Sequence, residues 1–189
     1  MEILKRDRVF STPWFNIIAK TLNSSNPNEP YYALELTDYA VIVPLTPNQE
    51  LVLVRQYRPA VETYTLELPS GHVEPGEDPQ TTARRELREE TGYDAGELEF
   101  LGDFVPDTGR FSNKMWCYFA PNVTPNALGA RPEENIEVIL CLPQDFLNLV
   151  RQNQFNHALH LAPILLALLS EKLLPLEQIR MREENVNES

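Results

Sequence analysis

Apolar positions fall into runs whose period changes along the chain, and these changes mark out strands, one helix, more strands and two final helices. Within residues 8–36, Phe15–Leu22 and Tyr31–Leu36 are strand-like and flank the polar turn NSSNPNEP, which predicts a small antiparallel meander. Ala40–Leu45 and Glu50–Tyr57 read as two strands joined by TPNQ, a hairpin by turn chemistry. Leu66–Ser70 is a short strand. Thr81–Thr91 contains no helix breaker, Asp78-Pro79 supplies an N-cap with proline at the first helical position, and Gly92 suits the left-handed stop. Glu97–Asp103 and Lys114–Ala120 read as strands, and Ile136–Leu142 alternates as one. Residues 143–152 and 157–173 read as helices with apolar faces, and the tail after Pro175 is polar. The order predicts an α+β protein, an α/β/α sandwich with a mixed central sheet. Its expected divisions are a β-meander over 1–38, a main domain over 39–175 and a polar tail over 176–189.

Composition narrows the function classes. A formal charge of −12 argues against a nucleic-acid partner, whose binding rests on Lys and Arg. The longest apolar run, Leu161–Leu169, is broken by Pro163 and is too short to span a bilayer. MEILKRDRVF has no apolar h-region, so no signal peptide and no membrane partner are expected. Cys117 and Cys141 lie in apolar strand-like segments without motif spacing, which reads as two buried free thiols in a cytoplasmic protein.

Candidate chemistry concentrates on the central helix. Glu86, Glu89 and Glu90 fall within an arc of roughly 100° on one helix face. Like charges at those spacings, near the helix C-terminus, oppose both helix formation and the macrodipole. A divalent cation would compensate, and an all-oxygen donor set suits Mg²⁺ or Mn²⁺. From the charge run alone, a solvated face interleaved with Arg84, Arg85 and Arg88 is the better account.

The wider spacing resembles a known pattern. Gly71, Glu77, Arg85-Glu86-Leu87, Glu89-Glu90 and Gly92-Tyr93 fill the fixed positions of the Nudix box, with Tyr93 where an aliphatic residue is usual. The chain therefore resembles the ADP-ribose and nucleotide-sugar pyrophosphatase branch of the Nudix hydrolases, and the expected sandwich becomes a Nudix-type one. The resemblance implies hydrolysis of the diphosphate bond of ADP-ribose or a related nucleoside diphosphate sugar, giving AMP and a sugar phosphate. GDP-mannose or another nucleotide sugar is the alternative substrate, and a non-catalytic nucleotide-sensing module the alternative class.

Residue by residue, the resemblance implies two to three Mg²⁺ (or Mn²⁺) ions held by the Ser70 carbonyl with Glu86, Glu89 and Glu90. It makes Glu134 the general base, with Glu133 as the fallback, and Arg85 the group that aims a box glutamate. Glu77 would close the loop onto the helix or touch an outer metal. Arg58 in the stretch Arg-Gln-Tyr-Arg-Pro matches a phosphate-binding arginine, and Arg55 is a second candidate. Trp14 is a candidate for stacking on adenine and Arg110 for contacting substrate, while Pro106 falls near a marker proline of this branch. His72 is not assigned as a ligand, and the resemblance of the N-terminal sheet to that branch implies a homodimer.

Overall fold

A computed structural model of the chain describes residues 1–24, 26 and 29–173. The expected polar tail at 176–189 lies outside the described residues. Strands β1 (Ile3–Ser11), β2 (Asn16–Leu22) and β3 (Tyr31–Glu35) form an antiparallel sheet in that order. Strand β1 is absent from the pattern-based reading. Its sequence, ILKRDRVFS, is largely exposed on both faces, so it carries no apolar alternation.

The remaining elements are β4 (Tyr39–Pro44), β5 (Leu51–Arg58), β6 (Thr63–Glu67), β7 (Ser70–His72), α1 (Pro79–Thr91), β8 (Tyr93–Asp94), β9 (Glu99–Phe104), β10 (Met115–Ala120), β11 (Thr124–Pro125), β12 (Ile136–Cys141), α2 (Pro143–Arg151) and α3 (Ala158–Leu169). They build a mixed sheet ordered β7-β4-β10-β9, in which only β4 and β10 run parallel, and an antiparallel sheet ordered β12-β5-β6. The small pair β8–β11 stands beside them.

The structure overturns the predicted hairpin between β4 and β5. The two strands enter different sheets and meet only at one antiparallel bridge, Leu45 to Leu51. The turn itself forms: Gln49 N–H donates to Thr46 O, and Gln49 takes φ 64°. But both edges of β4 are already paired, one with β7 and the other with β10, leaving no edge for β5. The predicted strand Leu66–Ser70 is likewise split. Pro69 has no N–H for a ladder, so β6 stops at Glu67 and the chain crosses through Leu68-Pro69 to begin β7 in the other sheet.

Two cores cover the two faces. Val41, Val43, Leu51 and Leu53 pack on the α2–α3 side with Phe146, Phe155 and Ile164. Ala40, Ile42 and Val52 pack on the α1 side with Ala83 and Leu87. Adjacent residues thus feed opposite layers, as a period of two requires, and the expected α/β/α sandwich is present. Leu87 is fully buried, and truncating such a side chain costs ~2–5 kcal/mol. This packing fixes α1, and with it the acidic residues, against the sheet. Helix α3 is shorter than predicted, ending at a Ser170 cap, and carries Pro163 within it.

Candidate active site

Helix α1 has the ends its sequence calls for. The Asp78 carboxylate accepts the N–H groups of Gln80 and Thr81 at 3.0 and 3.1 Å. Gly92 takes φ 73°, and its N–H donates to Arg88 O at 2.8 Å. Thr82, Ala83, Leu87, Glu90 and Thr91 form the buried face. Glu90 therefore shares a side with the apolar core contacts, and only 7% of it is exposed.

The segment Ser70–Gly71 lies against this carboxylate face. Ser70 N–H donates to a Glu90 carboxylate oxygen at 2.9 Å. A Cβ on Gly71 would sit 1.9 Å from the carboxyl carbon of Glu86, so only glycine leaves room for that side chain where it stands. Burial pushes the Glu90 carboxyl up to about 8, with the Glu86 charge adding to the rise against the Ser70 N–H. Burial also raises Glu86, opposed by Arg85. Two carboxyl groups displaced upward against the Ser70–Gly71 backbone are an oxygen donor set that Arg85 and Arg58 only partly neutralise. That set fits a hard divalent cation such as Mg²⁺ or Mn²⁺.

Arg85 organises the rim. Its Nε and Nη2 donate to the two Glu77 carboxylate oxygens at 3.2 and 3.1 Å, and Nη1 donates to Glu86 at 2.7 Å and Glu89 at 2.9 Å. A further bond reaches His72 O at 3.2 Å. One guanidinium thus ties the loop carboxylate to two helix carboxylates, a task suited to its rigid fork of donors. Glu77 also accepts from Thr82 Oγ1 at 2.8 Å, which closes the loop onto the helix.

Beside this face lies a cleft of ≈ 280 Å³ whose wall includes Arg58, Glu67, Ser70, Gly71, His157 and His160. Arg58 donates through Nε and Nη2 to the two oxygens of Glu67 at 2.7 and 2.5 Å. Glu67 is 1% exposed and also accepts from Thr65 Oγ1 at 2.6 Å. His160, 2% exposed, accepts Leu68 N–H on Nδ1 at 3.0 Å. That bond places the ring proton on Nε2, 3.5 Å from Ser70 Oγ. Burial lowers His160 to about 3, with His157 stacked on it at 3.7 Å between ring centroids.

Glu67, His157 and His160 each offer a ligand atom within 4.8 Å of the others. Nevertheless, both Glu67 oxygens serve the Arg58 fork, and the one lone pair of neutral His160 is taken by Leu68. These three do not form a metal centre.

The predicted site residues divide into two groups. Ser70, Arg85, Glu86, Glu89, Glu90 and Arg58 meet at the helix face and its cleft. Arg55 does not join them. Three positions apart on a regular strand, Arg55 and Arg58 face opposite sides, and Arg55 bonds Glu137 at 2.9 Å and lies over the Tyr64 ring at 4.3 Å. Arg110 lies over Tyr31 at 4.9 Å and donates to Gly109 O, a local role in docking the 105–113 loop. Trp14 is 75% exposed at the β1–β2 turn, away from the cleft. Glu133 and Glu134 are exposed on the loop before β12, where Glu133 N–H donates to Glu89 O at 3.0 Å. The Glu133 charge is among those that raise Glu86. Glu67 is a cleft residue that pattern reading passes over, and His160, like His157, reads from the sequence as a packing or solvent-contact histidine and not as a ligand. A lone glutamate in an apolar strand (LELP) was the available signal for the first.

The NUDIX domain family model matches residues 36–162. The chain belongs to the Nudix family. Its Nudix domain is 32% identical over 115 residues to the methanol dehydrogenase activator of Bacillus methanolicus, covering 60% of this chain and 62% of that one. It is 30% identical over 126 residues to the ADP compounds hydrolase NudE of Escherichia coli K12, covering 67% of each. It is also 30% identical over 119 residues to the ADP-ribose pyrophosphatase of Bacillus subtilis 168, covering 62% of this chain and 64% of that one. The alignments thus span about two thirds or slightly less of these relatives. A solved structure, titled as that of ADP compounds hydrolase, superposes with a TM-score of 0.75 at 26% identity. That superposition covers 90% of this chain and 94% of the other. Among the described residues, no helix is long and apolar enough to cross a membrane.

Proposed function

We propose that this Nudix protein hydrolyses the diphosphate bond of ADP-ribose or a closely related nucleoside diphosphate sugar, releasing AMP (or another nucleoside monophosphate) and a sugar phosphate. The observation that carries the reading is the carboxylate face of α1 closed against Ser70–Gly71 at the wall of a cleft containing Arg58. The relatives' names, an ADP compounds hydrolase and an ADP-ribose pyrophosphatase, give the substrate class. Glu86, Glu89, Glu90 and the Ser70 carbonyl would hold two to three Mg²⁺ or Mn²⁺ ions. Bound there, the cations supply positive charge to the diphosphate and acidify a water molecule.

The chain's own groups do the rest. Arg85 keeps Glu86 and Glu89 turned toward the Ser70–Gly71 loop. Arg58, oriented by Glu67, presents its guanidinium to a phosphate oxygen and holds the diphosphate in line for attack. A carboxylate of the 133–134 loop takes the proton from the attacking water, with Glu134 as the base and Glu133 as the fallback. The backbone bond from Glu133 to Glu89 keeps this loop beside the helix.

Exposed Leu4, Val9, Phe10, Trp14 and Tyr32 on the N-terminal sheet support a homodimer in which Trp14 or Arg110 reaches a cleft. The net charge of −12 supports a small-molecule substrate over nucleic acid, and the buried thiols of Cys117 and Cys141 suit the cytoplasm.

The test is phosphomonoester release from ADP-ribose, GDP-mannose, UDP-glucose and NADH with Mg²⁺, in the parent and in Glu90→Gln, Glu133→Gln and Glu134→Gln. The expected result is turnover of ADP-ribose, its abolition in Glu90→Gln, and at least ~100-fold loss of kcat in one loop variant with unchanged Mn²⁺ affinity. No hydrolysis of any of the four by the parent, or an unimpaired Glu90→Gln, refutes the proposal.

A further inference from the structure

Three successive backbone groups before Gly71 are each held by a different element. Leu68 N–H donates to His160 Nδ1 of α3, Pro69 O accepts from Ile42 N–H of β4, and Ser70 N–H donates to Glu90 of α1. The middle and last anchors follow from the sheet and the carboxylate helix. The first does not. Leu68 lies in the crossing between two sheets, where its N–H has left the β6 ladder and has not entered the β7 one. Without a partner, a buried amide in that position would be orphaned and would bear the full cost of its desolvation. A buried imidazole, 92 residues away in sequence, supplies the acceptor.

We propose that His160 is a positioning residue for the carboxylate site: by accepting the Leu68 amide it fixes the Leu68–Ser70 crossing, and so aims the Ser70 carbonyl at the face formed by Glu86 and Glu90. The inference rests on the reading of that face as a divalent-cation site. Its geometry is single-valued. With Nδ1 accepting, Nε2 carries the proton and faces Ser70 Oγ, so one ring contacts the crossing at both ends. The stacked His157 ring and the Arg58-bound Glu67 hold the imidazole in place from the cleft side. The anchor therefore acts on the ligand carbonyl through the Leu68 amide.

The experiment compares Mn²⁺ affinity, read as free Mn²⁺ by electron paramagnetic resonance, in the parent, His160→Asn and His160→Leu. The Asn Oδ1 stands where Nδ1 does, whereas Leu fills much of the same space with no acceptor. His160→Leu is expected to bind Mn²⁺ on the order of 10-fold more weakly. Its kcat for ADP-ribose should fall at fixed Mg²⁺ and recover at high Mg²⁺, with KM unmoved, while His160→Asn stays near the parent. If His160→Leu does not fold by near-ultraviolet circular dichroism, His160→Gln, whose acceptor is one bond too far out, replaces it with the same expectation.

Equal affinities in the acceptor and non-acceptor variants overturn the proposal, whether both match the parent or both are weak. A parent that binds Mn²⁺ but hydrolyses no nucleotide removes the proposed reaction, and the affinity ranking still decides the role of His160. A parent that binds no Mn²⁺ removes both.

Discussion

Gly71 shows how one missing carbon can matter more to the site than to the fold. Its φ lies outside the left-handed region, so alanine is compatible with the backbone there, but the added Cβ would meet the Glu86 carboxyl group at 1.9 Å. That group is the end of a flexible side chain and can swing away cheaply. Gly71→Ala is therefore expected to change Tm by no more than ~2–4 °C. Displacing Glu86 should weaken Mn²⁺ binding on the order of 10–100-fold. Thermal melts beside Mn²⁺ titrations check this, and a large drop in Tm with intact affinity would refute the account. At this scale much of the site was legible. Glu86, Glu89, Glu90, Arg85 and Ser70 sit together because helix periodicity and the box spacing both operate over short range. Arg55 stands apart from Arg58 because spacing in sequence does not report strand parity. Positions three apart on a strand point to opposite faces, and Arg55 pairs with Glu137 instead. His160 was legible only as a core histidine, since its partner amide at Leu68 is remote in sequence.

Elements succeed or fail as predictions according to how local their causes are. Helix α1 carries its own start and stop, and both operate as read: Asp78 caps one end and Gly92 turns the chain at the other. The β4–β5 turn was equally legible, but which strands flank β4 depends on β7 and β10, and no local signal reports that. Gly92 also ties α1 to the loop that carries Glu133 and Glu134. Asn126 N–H donates to Gly92 O at 2.8 Å, and a Cβ on Gly92 would lie 2.7 Å from Ala130 O. Two substitutions separate the helix from the loop. Asp78→Ala removes a cap and should lower Tm with kcat unchanged. Gly92→Ala forces a left-handed alanine at ~1–2 kcal/mol and also pushes residue 130 outward. It should lower kcat at least ~10-fold at unchanged Mn²⁺ affinity, because the base is displaced and the ligands are not. Equal kcat in the two variants would sever the loop from the chemistry.

At the scale of the whole molecule, the Arg58–Glu67 pair bonds β5 to β6 where the chain leaves one sheet for the other, beneath α3. Burial by itself raises the Glu67 carboxyl. The Arg58 fork, the Thr65 hydroxyl and the Arg58 charge outweigh it and hold the group at about 2, against an ordinary 4.5. The folded-state value is the lower one, so the unfolded chain binds the proton more tightly. The pair's contribution is then complete above pH ~4.5 and is lost as pH falls toward 2. A shift of that size corresponds to on the order of 3 kcal/mol. Other carboxylates titrate over the same range, and the net charge passes from negative to positive near the pI of 4.7, so a single stability curve cannot isolate Glu67. The difference between the parent and Glu67→Gln can, because those terms are common to both. Urea denaturation at pH 7 and at steps down to pH 2.5 should show the parent's advantage constant to about pH 5 and then shrinking steadily. A difference that stays flat to pH 2.5 would mean that the buried carboxylate gains nothing from its arginine.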